Sequence, residues 1–276
     1  MLAMPTHSER RCEDPARWVL YLSHSQPVRL VVFVHGFRGR AVDTWQCFPE
    51  GGQTRSWWRE SDLLFVGYRS DIDDITAAAG RLIDNIPRFF PDLPPALLEV
   101  GDARVRDVPS MGYQQLVLVG HSLGGLVIRV AVSEVADDWV QRGMPTPKPA
   151  LLDAGVRLFS PAIAGFRPAG FLGLMRASPA WGALRMYLHR SSAYTDLQDG
   201  SSILRDTRAR TEELARQHPQ LGALSARIVW ANPDRVVRSE KYRTDPLAKA
   251  IEEQSHSSVC KPNAAYTVPW SFVEQG

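Results

Sequence analysis

The sequence is poor in lysine, in cysteine and in long apolar runs. Of its 32 basic residues only four are lysine, at positions 148, 241, 249 and 261, and arginine supplies the rest. Basic and acidic side chains nearly cancel, leaving a net charge of +2. That is too little to point to nucleic acid or an anionic membrane surface as a partner. The three cysteines, Cys12, Cys47 and Cys260, are odd in number and follow no spacing pattern. They argue against a disulfide framework, and a reducing, cytoplasmic setting is the expectation. No C-x-x-C, H-x-x-x-H or G-x-x-x-x-G-K occurs, so neither a bound metal nor a phosphate-cradling loop is expected. No stretch approaches the ~20 apolar residues that cross a bilayer. Residues 1–15 are polar and charged where a signal peptide would need an apolar centre.

What is present is an ordinary globular balance, 44% hydrophobic and 22% charged over 276 residues, enough for one large domain spanning residues 1–276. Strand-like runs recur at 18–22, 29–34, 62–67, 116–119, 156–159 and 227–230. Helical patterns fall at Asp74–Phe90, Gly124–Gln141 and Ser202–His218. Alternation of this kind predicts an α/β fold, a mostly parallel sheet flanked by helices on both faces. Proline-rich Pro91–Pro109 reads as a long loop, and Gly143–Pro149 as a connection. From Phe166 to about Arg210 the rhythm breaks. This segment follows a strand end, where such sheets place insertions over a site, and it reads as a helical lid. Phe166, Phe171, Leu174 and Trp181 are its candidate substrate-binding residues. The same apolar side chains would also serve two ordinary packing helices.

Gly120-His-Ser-Leu-Gly-Gly125 is the most informative segment. An apolar run precedes it and a helical pattern follows it, so G-x-S-x-G here reads as a nucleophile elbow presenting Ser122 between a strand and a helix. A serine hydroxyl needs a base to take its proton, and the base needs a partner to hold its tautomer. Asp234, in a turn just beyond the 227–230 strand, is the candidate acid. Its rivals Asp153, Asp196 and Asp199 lie less well relative to a strand end. Of the seven histidines, His256 alone follows Asp234, and it is the candidate base. His189 and His218 fall in expected lid or helix positions. The oxyanion hole should use the backbone N–H of Leu123 and that of Phe37, in the His35-Gly-Phe-Arg-Gly39 loop. His35 reads as a structural hydrogen-bonding residue and Arg38 as a solvated loop residue or a contact to an acidic head group. Cys260 has no elbow around it.

These pieces together resemble the α/β-hydrolase superfamily. Within it they resemble the serine-esterase and lipase-like group that includes DUF676-type proteins, serine-active-site-containing proteins and hydrolase domains joined to NACHT-type signalling proteins. The resemblance rests on Val34-His-Gly-Phe-Arg-Gly39 with Asp43-Thr-Trp45, on Phe65-Val-Gly-Tyr-Arg-Ser70, on Gly120-His-Ser-Leu-Gly-Gly-Leu-Val127 and on His256-Ser-Ser-Val-Cys-Lys-Pro262. It implies an eight-stranded, mostly parallel sheet and cofactor-free hydrolysis of carboxylic esters. It implies Ser122 as nucleophile, Asp234 as acid, His256 as base, and Phe37 and Leu123 as oxyanion donors. Where the group often has a Thr-Pro-His-like segment, this chain has Ser160-Pro-Ala-Ile-Ala164. Any signalling partner is expected to be a separate protein.

The reading that follows is a serine hydrolase of lipid or other hydrophobic acyl esters. A short-chain carboxylesterase, a thioesterase or an acyltransferase could use the same groups. A ligand receptor or scaffold, or an effector switched on by a partner, could keep the fold without the activity.

Overall fold

The structure is a computed structural model, and it describes residues 5–13, 15, 17–70, 73–107, 111–167 and 200–275. Its strands are β1 (His7–Arg11), β2 (Val19–Ser23), β3 (Arg29–Val34), β4 (Ser61–Val66), β5 (Glu99–Val100), β6 (Ala103–Arg104), β7 (Gln115–His121), β8 (Gly155–Phe159), β9 (Arg227–Asn232) and β10 (Lys249–Glu252). Its α-helices are α1 (Ser56–Arg59), α2 (Ile75–Asn85), α3 (Leu123–Gln141), α4 (Ser202–Gln217) and α5 (Val268–Glu274). Eight strands make one sheet in the order β1-β2-β4-β3-β7-β8-β9-β10, and β5 and β6 form a separate hairpin. β2 is antiparallel to both of its neighbours, and every pairing from β4 through β10 is parallel.

The central strands are buried on both faces, which is why they read as unbroken apolar runs rather than as an alternation. Side chains nevertheless divide between two cores by the two-residue period of a strand. Leu30, Val32 and Val34 of β3, with Leu116 and Leu118 of β7, join the core built with α2, α3 and α4. Val31 and Phe33, with Val117 and Val119, join the opposite core, which contains Trp45, Phe48, Trp58 and Trp270. Phe33 stacks on its cross-strand neighbour Phe65 with centroids 4.7 Å apart and meets Trp45 at 5.0 Å and Phe48 at 4.9 Å. Such aromatic pairs add about 0.5–1.5 kcal/mol each beyond burial. They hold β3 rigidly under the loop that follows it.

Both outer strands escape the sequence pattern. β1 is His-Ser-Glu-Arg-Arg and β10 is Lys-Ala-Ile-Glu, with most side chains exposed or half-buried. Edge strands of this polarity carry no apolar run to detect and are protected from further pairing by their charges. α2 ends at Asn85 rather than near Phe90, and a 3₁₀ turn, Ile86–Arg88, follows it. Pro87 lacks the N–H that would continue the α-helical ladder. The expected loop from 91 to 109 contains the β5–β6 hairpin. Residues 202–210, read in sequence as the end of the lid, form the first half of α4, which places Leu204 and Leu214 in the core with α3.

Candidate active site

β7 delivers the chain directly into α3, and Ser122 is the residue between them. Its backbone sits at φ 53° and ψ −121°, a conformation costly for a residue with a side chain. Three hydrogen bonds enforce it. Ser122 N–H donates to Phe159 O at 3.1 Å, and Ser122 O accepts from Gly125 N at 3.1 Å and Ala162 N at 3.0 Å. The turn is too tight for bulk. A Cβ on Gly124 would run into the carbonyl oxygens of Val34 and His35, and one on Gly120 would lie 2.7 Å from Gly125 Cα. The glycines thus let the helix start pack onto the end of β3 with the serine standing proud.

Side chains far apart in sequence meet at this edge. His256 Nε2 lies 3.0 Å from Ser122 Oγ, and His256 Nδ1 lies 3.0 Å from Asp234 Oδ2. All three residues are buried. Asp234 occupies the turn after β9, where its Oδ1 accepts from Val236 N at 2.9 Å and Val237 N at 3.1 Å. That is the local backbone bonding for which aspartate is favoured in turns. The turn is tied in turn to the segment after β8: Phe166 bridges to Val237, and Arg167 N donates to Val236 O at 2.8 Å. Burial would raise the Asp234 carboxyl, but the hydrogen bond and charge of His256, the Ser160 hydroxyl and the Val237 N–H outweigh it and hold the group down at about 2. The carboxylate is therefore ionised throughout the neutral range and keeps Nδ1 of His256 as the protonated nitrogen.

Two residues at this edge were not singled out from sequence. Ser160, at φ 39° just past β8, accepts from Ala231 N at 3.0 Å and hydrogen-bonds to Asp234. His121 donates from Nε2 to the His256 carbonyl at 2.8 Å. Burial and the neighbouring His256 push its imidazole down to about 3, so it is neutral. The only cue for either was adjacency, His121 to Ser122 and Ser160 to a strand end.

The remaining candidates fall into place by their contacts. His35 is buried, stacks on Tyr68 with centroids 4.4 Å apart, donates from Nδ1 to Gly36 O at 2.8 Å, and is pushed down to about 4 by burial. It fixes the loop after β3, as expected of a structural histidine. Within that loop Gly36 faces Ser122: a Cβ there would be 2.8 Å from Ser122 Cβ. Phe37 follows it, and Leu123 opens the first turn of α3, where backbone N–H groups have no acceptor within the helix. Cys260 is buried with its thiol pushed up to about 12 by burial, and its Sγ faces Thr44 O at 3.9 Å. Asp153 is the surface partner of Lys148, away from the site. Asp196, Asp199 and His189, and the lid positions Phe171, Leu174 and Trp181, lie outside the described residues.

A cavity of about 490 Å³ opens over Ser122 and His256. Phe37, Phe166 and Val236 are among its apolar lining residues, and Arg38, Arg40 and Lys261 among its charged ones. No cluster of His, Cys, Asp or Glu among the described residues could hold a metal ion. No helix among them is long and apolar enough to cross a membrane.

Comparison with known proteins agrees with this architecture. The family described as "Putative serine esterase (DUF676)" matches residues 24–186, more than half of the chain. The chain belongs to the DUF676 family. The family match takes in the loop after β3 and the Ser122 elbow, and it ends before Asp234 and His256. Among solved structures, the mature form of the Bacillus licheniformis lipase BlEst2 superposes with a TM-score of 0.53 at 15% identity, over 93% of this chain and 97% of that one. Its propeptide form gives 0.50 at 16% identity, over 91% and 50%. At such identities the likeness is one of fold, and the fold is that of the α/β-hydrolases. No curated protein matches the sequence. For a DUF676 member, the mixed sheet with helices on both faces and a serine at the β7–α3 turn meet the expectations drawn from the sequence.

Proposed function

We propose that the protein hydrolyses carboxylic esters through an acyl-enzyme on Ser122, with His256 as general base and Asp234 as the group that orients it. The observation that carries this reading is the unbroken chain from Ser122 Oγ to His256 Nε2 and from His256 Nδ1 to Asp234, each link 3.0 Å, at the floor of an open cavity. As Ser122 Oγ attacks the acyl carbon, its proton passes to His256 Nε2, and Asp234 stabilises the resulting imidazolium. The carbonyl oxygen becomes an oxyanion held by the N–H groups of Phe37 and Leu123, beside the positive end of α3. His256 then gives the proton to the departing alcohol. Water repeats the sequence on the acyl-enzyme, releasing the acid and restoring the serine.

The apolar lining by Phe37, Phe166 and Val236 favours a hydrophobic acyl group, as in lipid or other apolar acyl esters. A series of p-nitrophenyl esters from acetate to palmitate, given to the parent and to Ser122→Ala, tests this reading. Turnover that vanishes in the variant supports it. Equal turnover in the two, or none by the parent with any ester, contradicts it.

A further inference from the structure

Ser160 is the first residue beyond β8, and it is fully buried. Its backbone turns at φ 39°, a left-handed setting that is costly for a residue with a side chain. The hydrogen bonds around it show what the turn achieves. Ser160 N–H still pairs with β9, donating to Val229 O at 2.8 Å. A continuing parallel ladder would next bring Ala231 N–H to the Ser160 carbonyl. Ala231 N–H donates instead to Ser160 Oγ at 3.0 Å. The hydroxyl thus stands in for the carbonyl at the end of the ladder, and the main chain turns out of the sheet toward Ser122. There Phe159 O accepts from Ser122 N at 3.1 Å, and Ala162 N donates to Ser122 O at 3.0 Å.

The same hydroxyl also serves Asp234. Its oxygen takes the Ala231 proton, which leaves its own proton for another acceptor, and it hydrogen-bonds to Asp234. The Asp234 carboxylate then has Val236 N–H and Val237 N–H on Oδ1, His256 Nδ1 on Oδ2, and the Ser160 hydroxyl. An ionised carboxylate offers about four acceptor sites, so this set of donors fills it. Val236 and Val237 belong to the same turn as Asp234 and move with it. Among the described donors, Ser160 is the one that ties the carboxylate to the end of a central strand. Ser160 is not among the described residues lining the cavity, so it acts through Asp234 and not on a bound ester.

Resting on the hydrolase reading above, we infer that Ser160 is a positioning residue, whose buried hydroxyl couples the end of β9 to the Asp234 carboxylate and fixes the direction in which that carboxylate meets His256. A misaimed carboxylate should cost roughly ten- to a hundredfold in kcat. KM should stay nearly unchanged, since substrate binding is untouched.

Two variants remove the hydroxyl. Ser160→Ala keeps the backbone requirement, and Ser160→Gly removes it as well, because glycine adopts positive φ freely. Each is made in the parent and in Asp234→Ala. Turnover of a p-nitrophenyl ester and the rate of fluorophosphonate labelling of Ser122 are measured, with circular dichroism to check the fold. A fall in kcat at constant KM in both variants, with no further loss when either is combined with Asp234→Ala, supports the inference. Residues that act as a unit lose their effect together. Unchanged kcat in either folded variant overturns it. So do losses that multiply with that of Asp234→Ala, which would place the role of Ser160 at the Ser122 turn. Failure of both variants to fold, beside a folded Asp234→Ala protein, assigns the hydroxyl to the fold and overturns it too. In each of these cases the hydrolase reading stands. No turnover by the parent, together with no labelling of Ser122, takes down both.

Discussion

His121 supports the main chain of His256: its Nε2–H donates to the His256 carbonyl at 2.8 Å, across 135 residues of sequence. Because His121 ends β7 immediately before Ser122, Ser122 and His256, the proposed nucleophile and base, are tied to one strand end. The rings of the two histidines lie 4.9 Å apart. His121→Phe removes the donor while keeping a planar ring. It should lower kcat by on the order of 10–100-fold, as small displacements of a catalytic group do, with little change in KM. His121→Gln, which restores an N–H at similar reach, should recover part of the loss. A purely packing role would instead leave kcat unchanged in His121→Phe.

The roles of the three meeting side chains differ in size. Ser122→Ala and His256→Ala should each cost on the order of 10⁴–10⁶ in turnover, and Asp234→Asn around 10⁴. The double variant Ser122→Ala/His256→Ala should be hardly worse than either single one, because the groups act as a unit. Steady-state kinetics on a p-nitrophenyl ester checks all of these, and additive losses would contradict the scheme.

Buried histidines set the acid stability. His35 and His121 are held at about 4 and about 3 by burial, whereas an exposed histidine titrates near 6.5. Between those values the unfolded chain binds more protons than the native one, so their contribution is fully present above about 6.5 and is lost as pH falls toward 4. The slope is ~1.4 kcal/mol per pH unit for each imidazole. Urea denaturation from pH 7.5 to 4.5 should show this decline. His35→Gln should start less stable at pH 7.5 and decline less steeply.

A buried ion pair fastens α3 to the chain beyond Asp234. Arg129 reaches Asp245 with Nη2 at 2.5 and 2.6 Å, donates to Leu224 O at 2.8 Å, and lies over the Tyr242 ring at 4.6 Å. Both side chains are almost fully buried, at 1% and 0% exposure. Removing one partner strands the other charge, so Asp245→Asn should cost roughly 3–5 kcal/mol. Thermal or urea unfolding measures it, and a cost near zero would mean that water reaches the pair.

Much of this architecture was legible because parallel strands buried on both faces must be apolar throughout. Residues 29–34 could be bounded to the residue for that reason. The edge strands β1 and β10 bury too little to leave such a mark. At the site, Ser122 was legible because its turn demands glycines at fixed offsets, and His256 because no other histidine follows Asp234. Ser160 and His121 were not, because they act through hydrogen bonds to residues distant in sequence. Neither leaves a spacing rule behind.

The most direct test is covalent. Incubation with a fluorophosphonate, followed by peptide mass spectrometry, should place one adduct on Ser122, and labelling should be slowed by orders of magnitude in His256→Ala. An adduct elsewhere, or unchanged labelling of Ser122 without the imidazole, would contradict the account.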